Sequence, residues 1–150
     1  MQSQVKPATR NTASRALRDA RRAWRIQYMD ASASIALARA SLARANDTGD
    51  ELAGAWSRLT IGYHNMRYIA PAEGLASLES ARRTFEKTGG RRGFIVANVG
   101  IARAWWMQSR NREALDLLMP LRAEGLTELA EEERGMLLNG IAGCYSMLGE

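Results

Sequence analysis

Few of the side chains in this 150-residue chain are able to do chemistry. There is one histidine, His64, and one cysteine, Cys144. Acid–base or nucleophilic catalysis needs groups that converge, such as an imidazole beside a hydroxyl or a thiol beside a base, and neither residue has a companion at such a spacing. His64 therefore reads as a solvated or hydrogen-bonded side chain near a helix end, and Cys144 as a small hydrophobe on an apolar helix side. The run Glu131-Glu132-Glu133 carries enough carboxylate for a cation. On a helix, however, successive positions point about 100° apart and cannot close on one ion. It reads instead as acid at a helix N-terminus, where the macrodipole favours it. No glycine-rich phosphate loop or metal-ligand spacing is present. The expectation is a segment that is not an enzyme, with no catalytic, cofactor-binding or metal-binding residue.

Charge points toward binding. Arg15, Arg18, Arg22 and Arg25 recur at steps of three, four and three, forming one basic stripe. It serves either as the polar outer face of a terminal repeat or as a contact for an anionic partner. Nucleic acid is disfavoured, because no aromatic residues are interleaved with the arginines as stacking platforms. Residues 1–112 carry 19 Lys/Arg against 8 Asp/Glu, and residues 113–150 carry 2 against 8, so the two ends differ in sign.

These groups must be positioned by helices. Ala, Leu, Arg and Glu dominate, which raises helix propensity almost everywhere. Leu17, Ala20, Trp24 and Tyr28 form one apolar face of a first helix; Ile35, Ala38, Leu42 and Ala45 form that of a second over about 30–46. Further helices are expected at about 51–66, 71–87, 92–108, 111–123 and 129–148, with Thr48-Gly49 and Thr88-Gly89-Gly90 as stops. Pro71 suits a first turn. Pro120 falls inside the sixth helix, which should be bent or short. Trp106 continues the spacing of Ile95, Val99 and Ala102 and is expected in the core, with the adjacent Trp105 pointing elsewhere. Residues 1–13 are polar and read as a flexible tail, with no signal peptide. No window reaches the roughly 18 apolar residues that span a bilayer, and the lone cysteine fits a reducing compartment, so no membrane contact and a cytoplasmic location are expected.

Self-comparison shows a period of 40: Thr48-Gly49 returns as Thr88-Gly89, Leu75 and Leu78 as Leu115 and Leu118, and Gly100-Ile101-Ala102 as Gly140-Ile141-Ala142. The units run at about 14–48, 50–88 and 91–125, with a partial unit at 128–150.

Within these units Trp56, Leu59 and Tyr63 look like the helix A set of the tetratricopeptide repeat, and Gly74, Leu78 and Ala81 like its helix B set. Val99, Gly100, Ala114 and Leu118 follow in the next unit. The chain thus resembles that family over Ser14 to Glu150, with departures: a period of 40 rather than about 34, and no proline closing each unit. The fold the resemblance implies is all-α, a right-handed α-solenoid of TPR-like helical hairpins with about seven helices. Leu42–Tyr63 and Thr84–Ala102 also resemble the helical regions ahead of GGDEF domains in bacterial diguanylate cyclases.

The concave surface of such a stack is lined by helix A. The resemblance therefore places Arg58, Ile61, His64 and Asn65, then Asn98, Ile101, Trp105 and Tyr145, beside a groove that binds a protein or peptide partner. Helix packing between neighbours accounts for the same residues equally well. The last helix, with Met136, Leu137, Ile141 and Leu148, is a helix A without a helix B, so part of its apolar face should lack intrachain cover. A longer parent protein or a second copy would supply it. The functional expectation is a protein-interaction or regulatory input module of a signalling protein. The alternative is a structural element whose homodimerisation brings appended catalytic domains together.

Overall fold

The computed structural model describes residues 13–150, so the tail expected over residues 1–13 lies outside the described residues apart from Ala13. Among those residues the chain is all-helical: α1 (Arg15–Ile26), α2 (Ala31–Thr48), α3 (Glu51–Tyr68), α4 (Pro71–Thr88), α5 (Arg91–Met107), α6 (Asn111–Leu118), α7 (Arg122–Glu128) and α8 (Glu131–Leu148). A single 3-10 turn, Met119–Leu121, joins α6 to α7, so these two fill one helix position.

Local chemistry fixes the boundaries. Side-chain oxygens of Ser14, Asp30 and Asp50 accept the backbone N–H of Leu17, Ala33 and Ala53 at 3.0, 2.9 and 3.0 Å, satisfying donors that a helix start leaves orphaned. Gly49 and Gly89 end α2 and α4 with φ of 70° and 76°, a conformation that costs a residue without Cβ nothing. Pro120 has no N–H to offer the carbonyl of Asp116, and the helix gives way there, with α6 ending at Leu118. The bend was expected; the continuation to Glu128 was not.

The forty-residue period is a property of the fold. Helices α2, α4 and the α6–α7 pair begin at 31, 71 and 111 and end at 48, 88 and 128; α3, α5 and α8 begin at 51, 91 and 131. We call α1, α3, α5 and α8 the A helices and the others the B helices. Consecutive helices pack on one another, as in a helical repeat. The approach of α3 to α4 is very close: a Cβ on Gly74 would stand 2.3 Å from the Gly62 carbonyl oxygen, so backbone meets backbone and only glycine fits. An aromatic chain runs from α1 through α3 to α4. Trp24 of α1 meets Tyr63 of α3 edge-on at 4.9 Å, and Trp56 of α3 meets Phe85 of α4 at 5.2 Å.

Three expectations need correction. Helix α1 stops at Ile26 and a four-residue turn follows, so Tyr28 leaves the apolar face and is 57% exposed. Trp106 is 39% exposed rather than core, while Trp105 is half-buried under the guanidinium of Arg110, 4.6 Å from its ring centre. On α8, Leu137 and Ile141 are buried, with Leu137 seated where a Gly125 side chain would be. The side of α8 left open carries Leu138, Ala142 and Met147, while Met136 and Leu148 are half-buried. An A helix buries one side against the preceding layer and another against its own B helix, so the longest apolar stripe is not the uncovered one.

Candidate functional site

The groove foreseen along the A helices is only partly open. Ile101 is 0% exposed and Asn98 1%, so neither can touch a partner. The amide of Asn98 is spent internally, donating to the Phe94 carbonyl at 3.0 Å and accepting from Arg82 at 3.3 Å. Arg58, Ile61, His64, Asn65, Trp105 and Tyr145 are half-buried. The imidazole of His64 lies 4.7 Å from the Tyr68 ring. Partial burial, with Arg39 and Arg67 nearby, lowers its pKa below the ordinary imidazole value. Asn65 Oδ1 is buried and has no hydrogen-bond partner among the described residues. Arg15, Arg18, Arg22 and Arg25 are all exposed, and among the described residues only Arg15 of the stripe approaches a carboxylate, Asp19 at 3.8 Å. Cys144 is buried, which pushes its thiol pKa up. Among the described residues no group of three or more His, Cys, Asp or Glu could hold a metal ion.

What does open to solvent is a cleft of about 410 Å³ between α5 and α8, floored by Leu118 of α6 and flanked by Tyr28. Val99, Ala102 and Trp106 form the α5 wall; Met136, Gly140, Gly143 and Cys144 form the α8 wall. Gly140 and Gly143 lie one turn apart and leave that wall bare. Arg103 and Asn139 stand at the rim as its polar groups, both exposed. Arg103 makes no ion pair or side-chain hydrogen bond among the described residues. A mostly apolar concavity with a few polar groups at its edge is the usual form of a ligand site.

A buried polar junction ties the start of α8 to α1 and α5. Glu133, in the first turn of α8, accepts two bonds from Arg92 (2.8 and 2.9 Å), one from the Trp24 indole (2.8 Å) and one from the Ala130 backbone N–H (3.0 Å). Arg92 also lies over the Trp56 ring at 5.1 Å. Burial pushes the Glu133 carboxyl up, but the hydrogen bonds from Arg92, Ala130 and Trp24 outweigh it and hold the pKa below the ordinary range. The first A helix is thereby tied to the last across 109 positions of sequence. Tyr28, just beyond α1, continues the contact with its hydroxyl 3.9 Å from the Met136 sulfur.

Sequence reasoning missed both the cleft and the junction. The forty-residue columns held a signal for each: Ala53 and Gly93 precede Glu133, a carboxylate where the earlier units place small residues, and Tyr63 precedes Arg103. No family model, curated protein or solved structure matches this chain. No helix among the described residues is long and apolar enough to cross a membrane.

Proposed function

We propose that this chain is a TPR-like right-handed helical solenoid that works as a protein-interaction module, taking a segment of a partner protein into the cleft between α5 and α8. The observation that carries this reading is the pairing of an open apolar cleft with two aromatic rings at its edge, Trp106 and Tyr28, both exposed. Exposed aromatics beside a concavity are what interface anchors seek, because burying them contributes most of an interface's energy.

A random-peptide display library panned against the chain tests the proposal. Peptides that enrich on the wild type should bind at least tenfold more weakly to Gly143→Leu. That substitution places a side chain in the cleft: the three atoms nearest a Cβ at Gly143 all belong to the Trp106 ring, at 3.6–3.7 Å, an ordinary contact distance, so the variant can fold. Equal affinity for both proteins, or no enrichment at all, would overturn the reading.

A further inference from the structure

The repeat itself says what the cleft accepts. Subtracting forty from Val99, Arg103, Leu118, Met136, Gly140 and Cys144 gives Leu59, Tyr63, Leu78, Val96, Gly100 and Ala104, the same columns one layer earlier, between α3 and α5. There the space is filled, by Tyr63. Its ring is fully buried, and its hydroxyl donates to the Val96 carbonyl at 2.8 Å. The ring lies directly on Gly100, where a Cβ would stand 2.8 Å from Tyr63 Cε2 and 3.1 Å from Leu78 Cδ1.

The frame of that slot recurs in the next layer without its filling. A Cβ on Gly140 would stand 3.1 Å from Leu118 Cδ1, matching the distance at Gly100, so glycine and leucine keep their spacing. No ring atom lies within 4 Å of it. The tyrosine column is occupied by Arg103, whose side chain stays in solvent. A glycine whose bare face supports a ring in one layer supports nothing in the other.

We propose that the cleft is a vacant tyrosine slot and takes the phenol ring of a tyrosine side chain on a partner segment. The ring would lie on Gly140 beside Leu118, with its hydroxyl donating to the Met136 carbonyl, as Tyr63 donates to Val96. Arg103 at the rim is placed to lie over the exposed face of the ring, where a guanidinium is attracted by the π-system. A phenylalanine would fit but forgo the hydroxyl bond, a loss of about fivefold to tenfold in affinity. The assignment rests on the reading of the cleft as a binding site, and names its occupant.

The test uses p-cresol and N-acetyltyrosinamide as probes, followed by amide NMR shifts of the whole chain. Both should move the Gly140 and Gly143 amides and the Trp106 indole N–H, with N-acetylphenylalaninamide binding about fivefold to tenfold more weakly. Arg103→Tyr should fill its own slot, abolishing these shifts and raising the thermal midpoint by roughly 2–4 °C. Arg103→Gln leaves the slot empty and should retain p-cresol binding, weakened about twofold to fivefold by loss of the guanidinium over the ring. If neither phenol moves these signals, the proposal is overturned. If p-cresol binds and N-acetyltyrosinamide does not, the slot serves a free phenol and the tyrosine assignment is wrong. Library peptides that need the cleft yet lack an aromatic residue and resist p-cresol would sink the slot but leave the interaction module standing. Phenol binding with no peptide binding would leave a phenol site but overturn both the tyrosine of a partner segment and the interaction module.

Discussion

The α3–α5 and α5–α8 junctions are built on the same columns and differ in one decisive position. Between α3 and α5, Tyr63 crosses from one A helix to the backbone of the next and leaves no space. Between α5 and α8, Arg103 stands in that column, and a cleft of about 410 Å³ remains. The supporting residues, a glycine under the ring and a leucine beside it, are kept in both. A repeat thus separates two tasks that a single-core domain combines: the frame sets the spacing of layers, and one filler residue decides whether a junction is packed core or open cleft.

Removing the filler is the most damaging way to erase the difference. Tyr63→Ala takes a fully buried ring from between Trp24 and Gly100 and should destabilise the chain by about 3–5 kcal/mol, the usual cost of deleting a core aromatic. The loss is read from the midpoint of urea unfolding. A cost under 1 kcal/mol would mean that the α3–α5 junction does not depend on its tyrosine, and the contrast with α5–α8 would lose its meaning.

The polar junction between α1, α5 and α8 offers a smaller, pH-dependent effect. The pKa of Glu133 is lowered in the folded chain, since its hydrogen bonds outweigh the cost of burial. Its contribution is therefore fully present above the unfolded carboxyl value of about 4.3, and is lost as pH falls through the lower folded value. Glu133→Gln should cost about 1–2 kcal/mol at pH 7, discounted because the side chain of Arg92 is 39% exposed and partly screened. Wild type and variant should converge as the pH falls below the folded value. Parallel unfolding midpoints from pH 7 to 3 would show that the carboxylate charge contributes nothing.

Much of the scaffold was legible from side-chain periodicity. Caps such as Asp50, stops such as Gly89 and the break at Pro120 act through bonds within a few residues, so local sequence reports them. The candidate site was less legible. Asn98 and Ile101 were assigned to a groove by analogy with helix A, yet both are buried by neighbouring layers. Trp106 and Tyr28 went the other way: apolar residues at helical spacing, they stand at an opening created by the exposed Arg103 column and by the end of α1 at Ile26. Whether a residue in a stacked layer is covered depends on what occupies the same column one layer on, forty residues away. Glu133 is the extreme case, because its partners are Arg92 and Trp24, far from it in sequence.

The finest probe of the contrast is a methyl group placed on each glycine floor. At Gly100 a Cβ would press 2.8 and 3.0 Å from Tyr63 Cε2 and Cζ, and the ring cannot retreat, held by its bond to Val96 and by the edge of Trp24. Overpacking of this kind costs about 1–3 kcal/mol, offset by about 1 kcal/mol of helix propensity gained on replacing glycine. Gly140→Ala meets only the end of Leu118, which can rotate away, and keeps most of the propensity gain. Gly100→Ala should therefore unfold earlier than wild type, by up to about 2 kcal/mol, and Gly140→Ala at or above it. In a Tyr63→Ala background the penalty at Gly100 should vanish, because the two residues share one contact and their effects cannot add. If the two alanine variants unfold alike, the ring on Gly100 is not what distinguishes the layers, and the cleft cannot be read as a slot whose ring is missing.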